Sequence, residues 1–275
     1  MMSATTTFLA LLGASLFGQA ESAKGEADER LDLMRKSVEV YRFQGGEGPS
    51  ARFLLKAEPA FRMGKQPADD VEEGAIFFWL DAVGRPEAAV QVFQVKNARQ
   101  PLGTWIHEFV SLSPGTFAAD RGDRPIWAPR TGGVAFAPIP GAPVPADSAS
   151  RRDQQMRALA RSFRVSDDFK ERGSQELRLL PTPIARYGRG NAQVQDGALF
   201  AFVLGTDPEA FLFIEARPGA KGAGAEWQFA FAPMGCFAEK GTRDRQSVWS
   251  TPLKKGDETH DPSRTYFVLV LGARP

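Results

Sequence analysis

Rare residues recur along this chain at one nearly fixed spacing. Trp105 and Trp127 are answered by Trp227 and Trp249, and Phe109 and Phe231 each follow the first tryptophan of their pair by four. Gly74-Ala75-Ile76-Phe77 matches Gly197-Ala198-Leu199-Phe200, and Pro86-Glu87-Ala88 matches Pro208-Glu209-Ala210. Upstream, Pro59 with Arg62 matches Pro183 with Arg186, and Met34-Arg35 matches Met156-Arg157. The offset stays between 122 and 124 throughout. One such match is weak, but the same order of Trp, Pro and Met at one offset points to a unit written twice. The spacing predicts two diverged copies, over 21–145 and 146–275, each the size of an ordinary domain.

The local patterns predict what each copy contains. Leu31, Met34, Val38 and Tyr41 make one apolar helical face, closed by Gly45-Gly46. Met156, Leu159, Ala160 and Phe163 make the same stripe, with Ser150 and Asp153 resembling a capping box. Short strand-like runs follow: 51–57, 74–80, 87–95 and 104–113 in the first copy, and 175–180, 197–204, 209–216 and 226–234 in the second. The runs at 74–80 and 197–204 are apolar without alternation, as in strands covered on both faces. Turns rich in Gly, Asp and Pro after these two runs predict hairpins. The last strand is expected at 265–272, with 133–138 as its counterpart. The fold class is therefore α+β: two diverged copies of a helix followed by an antiparallel β-sheet. The proline-rich connector at 137–150 separates them, and a close pair with an approximate two-fold is favoured over two separate domains.

Composition agrees and narrows the function classes. Among 275 residues there are 27 Gly and 20 Pro, which favours turns and short strands, and 21 Phe against three Tyr, which reads as buried sheet core. The net charge of +1 gives no steering towards nucleic acid, so no nucleic-acid partner is expected. A single cysteine, Cys236, rules out an intramolecular disulfide and a four-thiolate metal site. At the N-terminus, Phe8 to Phe17 is an apolar run followed by Gly18-Gln19-Ala20, which predicts a signal peptide over 1–20 cut after Ala20. No Lys or Arg precedes the run. The chain is expected to be exported, periplasmic or extracellular, with no integral membrane span once the signal is removed.

The runs at 152–163, 176–187, 196–209 and 107–113 resemble those of a family of uncharacterised bacterial exported proteins. The resemblance covers nearly all of the mature chain. It implies export and a shared fold, and carries no activity, substrate or catalytic residue.

Chemistry-bearing motifs are sparse. His107 and His260 are the two histidines, and no G-x-S-x-G elbow exists. His107-Glu108 is the best candidate for acid–base work, although strand neighbours point to opposite faces. Cys236 reads as a small buried thiol. The acidic stretches 68–73 and 257–261 lack the calcium-loop pattern. The glycine-rich stretches at 188–190 and 219–224 lack the strand-to-helix context of a phosphate loop. Arg62 and Arg186, with Glu87 and Glu209, are the polar residues common to both copies. A salt bridge from each Arg to its hairpin is the simple expectation, and a ligand carboxylate held by the two arginines the sharper one. No cofactor or metal is expected. The leading expectation is a non-catalytic exported structural or binding protein of the cell envelope, partnered by a protein or envelope component. The alternatives are a hydrolase with its site between the copies, and a carrier of an apolar small molecule in a cavity lined by Phe77, Phe200 and Phe211.

Overall fold

The computed structural model describes residues 25–45, 52–65, 71–97, 100–169, 173–188, 193–219 and 224–275. The expected signal peptide lies outside them. The protein is sheet-rich, with antiparallel pairing throughout the described strands. Helix α1 spans 25–38. It is followed by β1 (Tyr41–Gly45), β2 (Arg52–Leu55), β3 (Phe61–Met63), β4 (Val71–Leu80), β5 (Pro86–Asn97), β6 (Gln100–Ser111), β7 (Phe117–Arg121), β8 (Arg124–Trp127) and β9 (Ala137–Pro138). The second half opens with α2 (Ala149–Ala160). It continues through β10 (Phe163–Asp167), β11 (Gln175–Glu176), β12 (Arg178–Leu179), β13 (Ala185–Tyr187), β14 (Asp196–Leu204), β15 (Asp207–Pro218), β16 (Ala225–Pro233), β17 (Glu239–Arg243), β18 (Gln246–Thr251) and β19 (Tyr266–Gly272).

Both helices stop earlier than their apolar stripes suggest. Tyr41 and Phe163 lie in phase with the helical face but open strands β1 and β10 instead. The physical reason is a change of period: both strands bury alternate residues, Tyr41, Phe43 and Gly45 in one and Phe163, Val165 and Asp167 in the other. The N-cap of α2 is Ser148, whose side chain accepts from the Arg151 amide, and not Ser150. Asp153 is instead paired with Arg157 at 3.0 Å and with Arg186.

The long strands are apolar on both faces because both faces are covered. In β4, Ala75, Phe77 and Trp79 pack with Met34 and Val38 of α1, while Ile76 and Phe78 point the other way. In β14, Ala198, Phe200 and Phe202 pack with Met156 and Leu159 of α2, while Leu199 and Ala201 point the other way. Those second faces meet in one core that joins Ile76, Phe78, Ala89 and Val110 to Leu199, Ala201, Phe211 and Phe213. The layers therefore run helix, sheet, sheet, helix. Gly74 and Gly197 follow from this packing. A Cβ on either would collide with the side chain laid across it, Met63 on the first and Tyr187 on the second.

The ends of the halves cross over. Strand β9 pairs with β16 of the second half, and β19, the last strand, pairs with β6 of the first. Each half thus completes a sheet belonging largely to the other. Among the described residues, no helix is long and apolar enough to cross a membrane.

The Phe78 and Phe211 rings meet edge to face across the two sheets, 6.1 Å apart. Phe78→Ala and Phe211→Ala are each expected to lower the unfolding free energy by about 3–5 kcal/mol. Their combined cost should fall short of the sum by about 1 kcal/mol, the worth of the ring pair. Urea denaturation followed by tryptophan fluorescence measures both, and two separate transitions, one per half, would contradict a shared core.

Candidate functional site

Two proline turns face the seam between the sheets. Arg85-Pro86-Glu87 opens β5, and Asp207-Pro208-Glu209 opens β15. Their backbones are used alike: the Glu87 carbonyl accepts from the Leu112 amide at 2.9 Å, and the Glu209 carbonyl from the Met234 amide at 2.5 Å. Both glutamates are buried. Their side chains have different company.

At the first turn the acids are met by arginines, Arg217 also lying 3.3 Å from Glu215 Oε2. Arg85 donates to Glu87 Oε1 at 2.6 Å and, across the seam, to Glu215 Oε1 at 2.9 Å. Its guanidinium also donates to the Leu112 carbonyl at 3.1 Å and lies 4.6 Å from the centroid of the Phe213 ring. Tyr187 donates its hydroxyl to Glu215 at 2.7 Å. Burial works against the Arg85 charge, but Glu215 and Glu87 outweigh it and hold the group ionised.

At the second turn Asp207 stands where the arginine stands in the first, and the space is open. A cavity of about 170 Å³ is walled by Gln91, Phe93, Glu108, Asp207, Glu209 and Cys236. Met63, Met234, Phe169 and Phe237 add apolar surface. Gln91 donates from Nε2 to Asp207 Oδ1 at 3.0 Å; it is 3% exposed, and its Oε1 has no hydrogen-bond partner. Burial pushes the Glu209 carboxyl well above its ordinary range, and Asp207, Glu239, Asp167 and Glu108 push it further. Burial, then Asp207, raises Glu108 to about 8, with the Tyr266 hydroxyl opposing. Behind the wall, Asp167 and Glu239 are direct partners across β10 and β17, and neither oxygen of Glu239 is hydrogen-bonded. Burial raises Asp167 to about 6. Lys254 is the nearby cation, its Nζ 5.2 Å from the centroid of the Tyr266 ring, and burial lowers its affinity for a proton.

The predicted residues separate. Glu108 lines the cavity, but His107, its neighbour on β6, points into the opposite core and takes no part. The imidazole Nδ1 lies 2.8 Å from the Tyr41 hydroxyl and Nε2 lies 3.3 Å from Ser37 Oγ. Ser37 already donates to the Met34 carbonyl, so Nε2 carries the proton and Tyr41 donates to Nδ1. Burial, then the charge of Arg121, pushes this histidine down to about 3. It is a neutral tie between α1, β1 and β6. Arg62 is exposed on β3. Arg186 holds Asp153 and, at 2.7 Å, Asp196, which Arg152 also holds at 3.0 Å. The expected bridges from Arg62 and Arg186 to the hairpin glutamates do not form, because Glu87 is taken by Arg85 and Arg186 by the acids beside α2. Those two arginines sit on different sheets. Phe77, Phe200 and Phe211 fall in three different cores and line no shared cavity.

Sequence reasoning passed over Gln91, Asp207 and Glu209 as site residues. The signal was present: Arg85 and Asp207 differ in charge within otherwise matching turns. Among the described residues, no three His, Cys, Asp or Glu side chains are grouped to hold a metal ion. Burial, then Glu108, raises Cys236 to about 11, so it stays a thiol and not a nucleophile. Comparison with known protein families, with curated proteins and with solved structures finds no match for this chain.

Removing Arg85 should expose the difference between the turns. Arg85→Met leaves Glu87 buried without its cation and Glu215 with Arg217 alone, and is expected to cost about 3–5 kcal/mol in urea denaturation. Glu209→Gln should cost nothing or stabilise, since the amide replaces a carboxyl that burial already holds protonated. His107 generates a separate pH effect. Its folded-state pKa lies below the unfolded value of 6.5, so the unfolded chain binds the extra proton and stability is lost as pH falls from 6.5 towards 3. The wild type should lose about 1.4 kcal/mol per pH unit there relative to His107→Gln, measured by denaturation at matched pH.

Proposed function

We propose that this protein is a non-catalytic binding protein exported to the cell envelope, with the cavity beside the β14–β15 turn as its ligand site. One observation carries the reading: a pocket walled by both polar and apolar groups stands open at the seam, where the corresponding turn of the other half is filled by its own arginine. Gln91, on the pocket wall, has an Oε1 with no hydrogen-bond partner. Export rests on the apolar run and small-residue cleavage site at the N-terminus, and on the resemblance to bacterial exported proteins.

The duplication belongs to the same reading. The halves at 21–145 and 146–275 are diverged copies joined into one pseudo-symmetric unit. Its support is the common pairing order: β3–β4–β5–β6 beside β13–β14–β15–β16, and β1–β7–β8 beside β10–β17–β18. The reciprocal crossing of β9 and β19 adds to it. On this view one copy kept its seam closed and the other opened it for binding.

A hydrolase is the second reading, favoured by Glu108 alone, which holds a proton at neutral pH and could donate it. Native mass spectrometry of protein taken from the envelope fraction separates these readings. A small molecule retained by the wild type and absent from a folded Cys236→Trp variant, whose indole fills the cavity, is the expected result. Turnover of a supplied substrate that is lost in Glu108→Gln would favour the enzyme. Full-length chain recovered in the cytosol with residues 1–20 intact would overturn export.

A further inference from the structure

The class of ligand can be read from the contrast between the two turns, and it rests on the binding reading above. Arg85 demonstrates what the seam accepts at this depth. A flat cation lies between two carboxylates, accepts nothing, donates to a backbone carbonyl, and stacks on Phe213. At the open turn the same kinds of group remain and the cation is missing from the chain. Asp207 replaces the arginine, Glu209 keeps the place of Glu87, and Gln91 and Phe93 stand on β5 as Phe213 and Glu215 stand on β15. The cavity wall is thus rich in acceptors. Gln91 lines the cavity, and its buried Oε1 lacks a donor.

We propose that this cavity binds a small organic cation, an ammonium, amidinium or guanidinium group on a compact apolar body, with its N–H groups directed to Gln91 Oε1 and to the carboxyl groups of Glu209, Glu108 and Asp207. The aromatic rings of Phe93, Phe169 and Phe237 on the wall favour an organic cation over a hydrated metal ion. The absence of a metal-ligand grouping among the described residues agrees. Lys254 does not fill the role. Its ammonium reaches the Gly235 carbonyl at 3.4 Å, Thr251 Oγ1 at 3.3 Å and the face of Tyr266, and from outside the cavity wall it acts on Glu239 and Glu108 through its charge alone.

Binding of this kind is coupled to protons. Glu108, Asp207 and Glu209 face the cavity, Glu239 and Asp167 stand behind them, and Cys236, Tyr266 and Lys254 complete the surrounding titratable groups. Without a cation Glu209 and Glu108 favour their protonated forms; a cation favours the ionised ones, so its entry expels a proton. Affinity therefore rises with pH until the carboxyl ionises unaided, which for Glu108 is about 8.

Isothermal titration calorimetry on the mature chain tests this with butylammonium and methylguanidinium chlorides against their neutral counterparts, 1-butanol and N-methylurea. The cations are expected to bind with Kd of about 1 mM or tighter and at least tenfold better than the neutral molecules. Affinity should rise about tenfold per unit between pH 6 and 8, with proton release seen as a dependence of the heat on buffer ionisation enthalpy. Glu209→Gln should weaken cation binding at least tenfold while leaving the unfolding midpoint unchanged or raised, and Gln91→Met should weaken it in the same direction. Cations binding no better than the neutral molecules, or binding undiminished in Glu209→Gln, would overturn the proposal. Tight binding of the neutral probes alone would remove the cation and keep the binding cavity. A wild-type protein that binds neither class, and retains nothing in native mass spectrometry, sinks both.

Discussion

The structure depends on two sheets buried against each other along their central strands. Strands β4 and β14 each have a helix on one face and the opposite sheet on the other, so they have no side from which water is reached. That placement explains why the chain spends so many phenylalanines and so few tyrosines there: a ring with no polar tip can point either way. Several of these rings and their aliphatic neighbours are fully buried, and each such side chain contributes roughly 1.5–3 kcal/mol of transfer free energy before entropy is set against it. The crossing of β9 and β19 follows from the same demand. A strand from one half laid along the edge of the other covers an otherwise open ladder and ties the layers covalently as well as by contact.

A seam of this kind is intolerant of charge, and the two turns show two ways of living with that. At Arg85 the acids are neutralised within the fold, by contacts as short as 2.6 Å. At Asp207 burial and the crowding of carboxyls push Glu209 and Glu108 towards their protonated forms, with Lys254 set to one side. The first arrangement is fixed whatever the solution contains. The second depends on pH.

Much of the sheet was legible because its signals are local. The apolar runs at 74–80 and 197–204 fell within β4 and β14, and the Gly-Asp-Pro turns after them made hairpins. The ends of the helices were not legible, since Tyr41 and Phe163 satisfy the helical period and the strand period at once, and only tertiary burial chooses between them. The crossing of β9 and β19 carries no local signal at all. At the site, the alternation of a strand correctly separated His107 from Glu108, yet nothing in that dipeptide says which one faces a cavity. The decisive residue, Asp207, was hidden inside a turn whose Pro and Glu attracted notice for their similarity to the first half.

Difference within similarity is therefore the more informative quantity in this chain. Positions where the halves agree, such as Gly74 and Gly197, have packing reasons: a side chain crosses the glycine too closely for a Cβ. Positions where they disagree in charge do not share one packing role: Arg85 is buried and Asp207 half-buried. Arg85 and Asp207 occupy the same step of the same turn, and the hydrogen bonds of the backbone beside them match. A reversal of sign there leaves the carboxyl of Glu209 without a guanidinium, the amide oxygen of Gln91 without a donor, and a cavity in place of a side chain. Each of the three has a cost in the isolated protein, of about 1–3 kcal/mol for a buried acceptor left unpaired. A bound cation would remove all three costs together, and it would take the place that the sister turn fills with its own arginine.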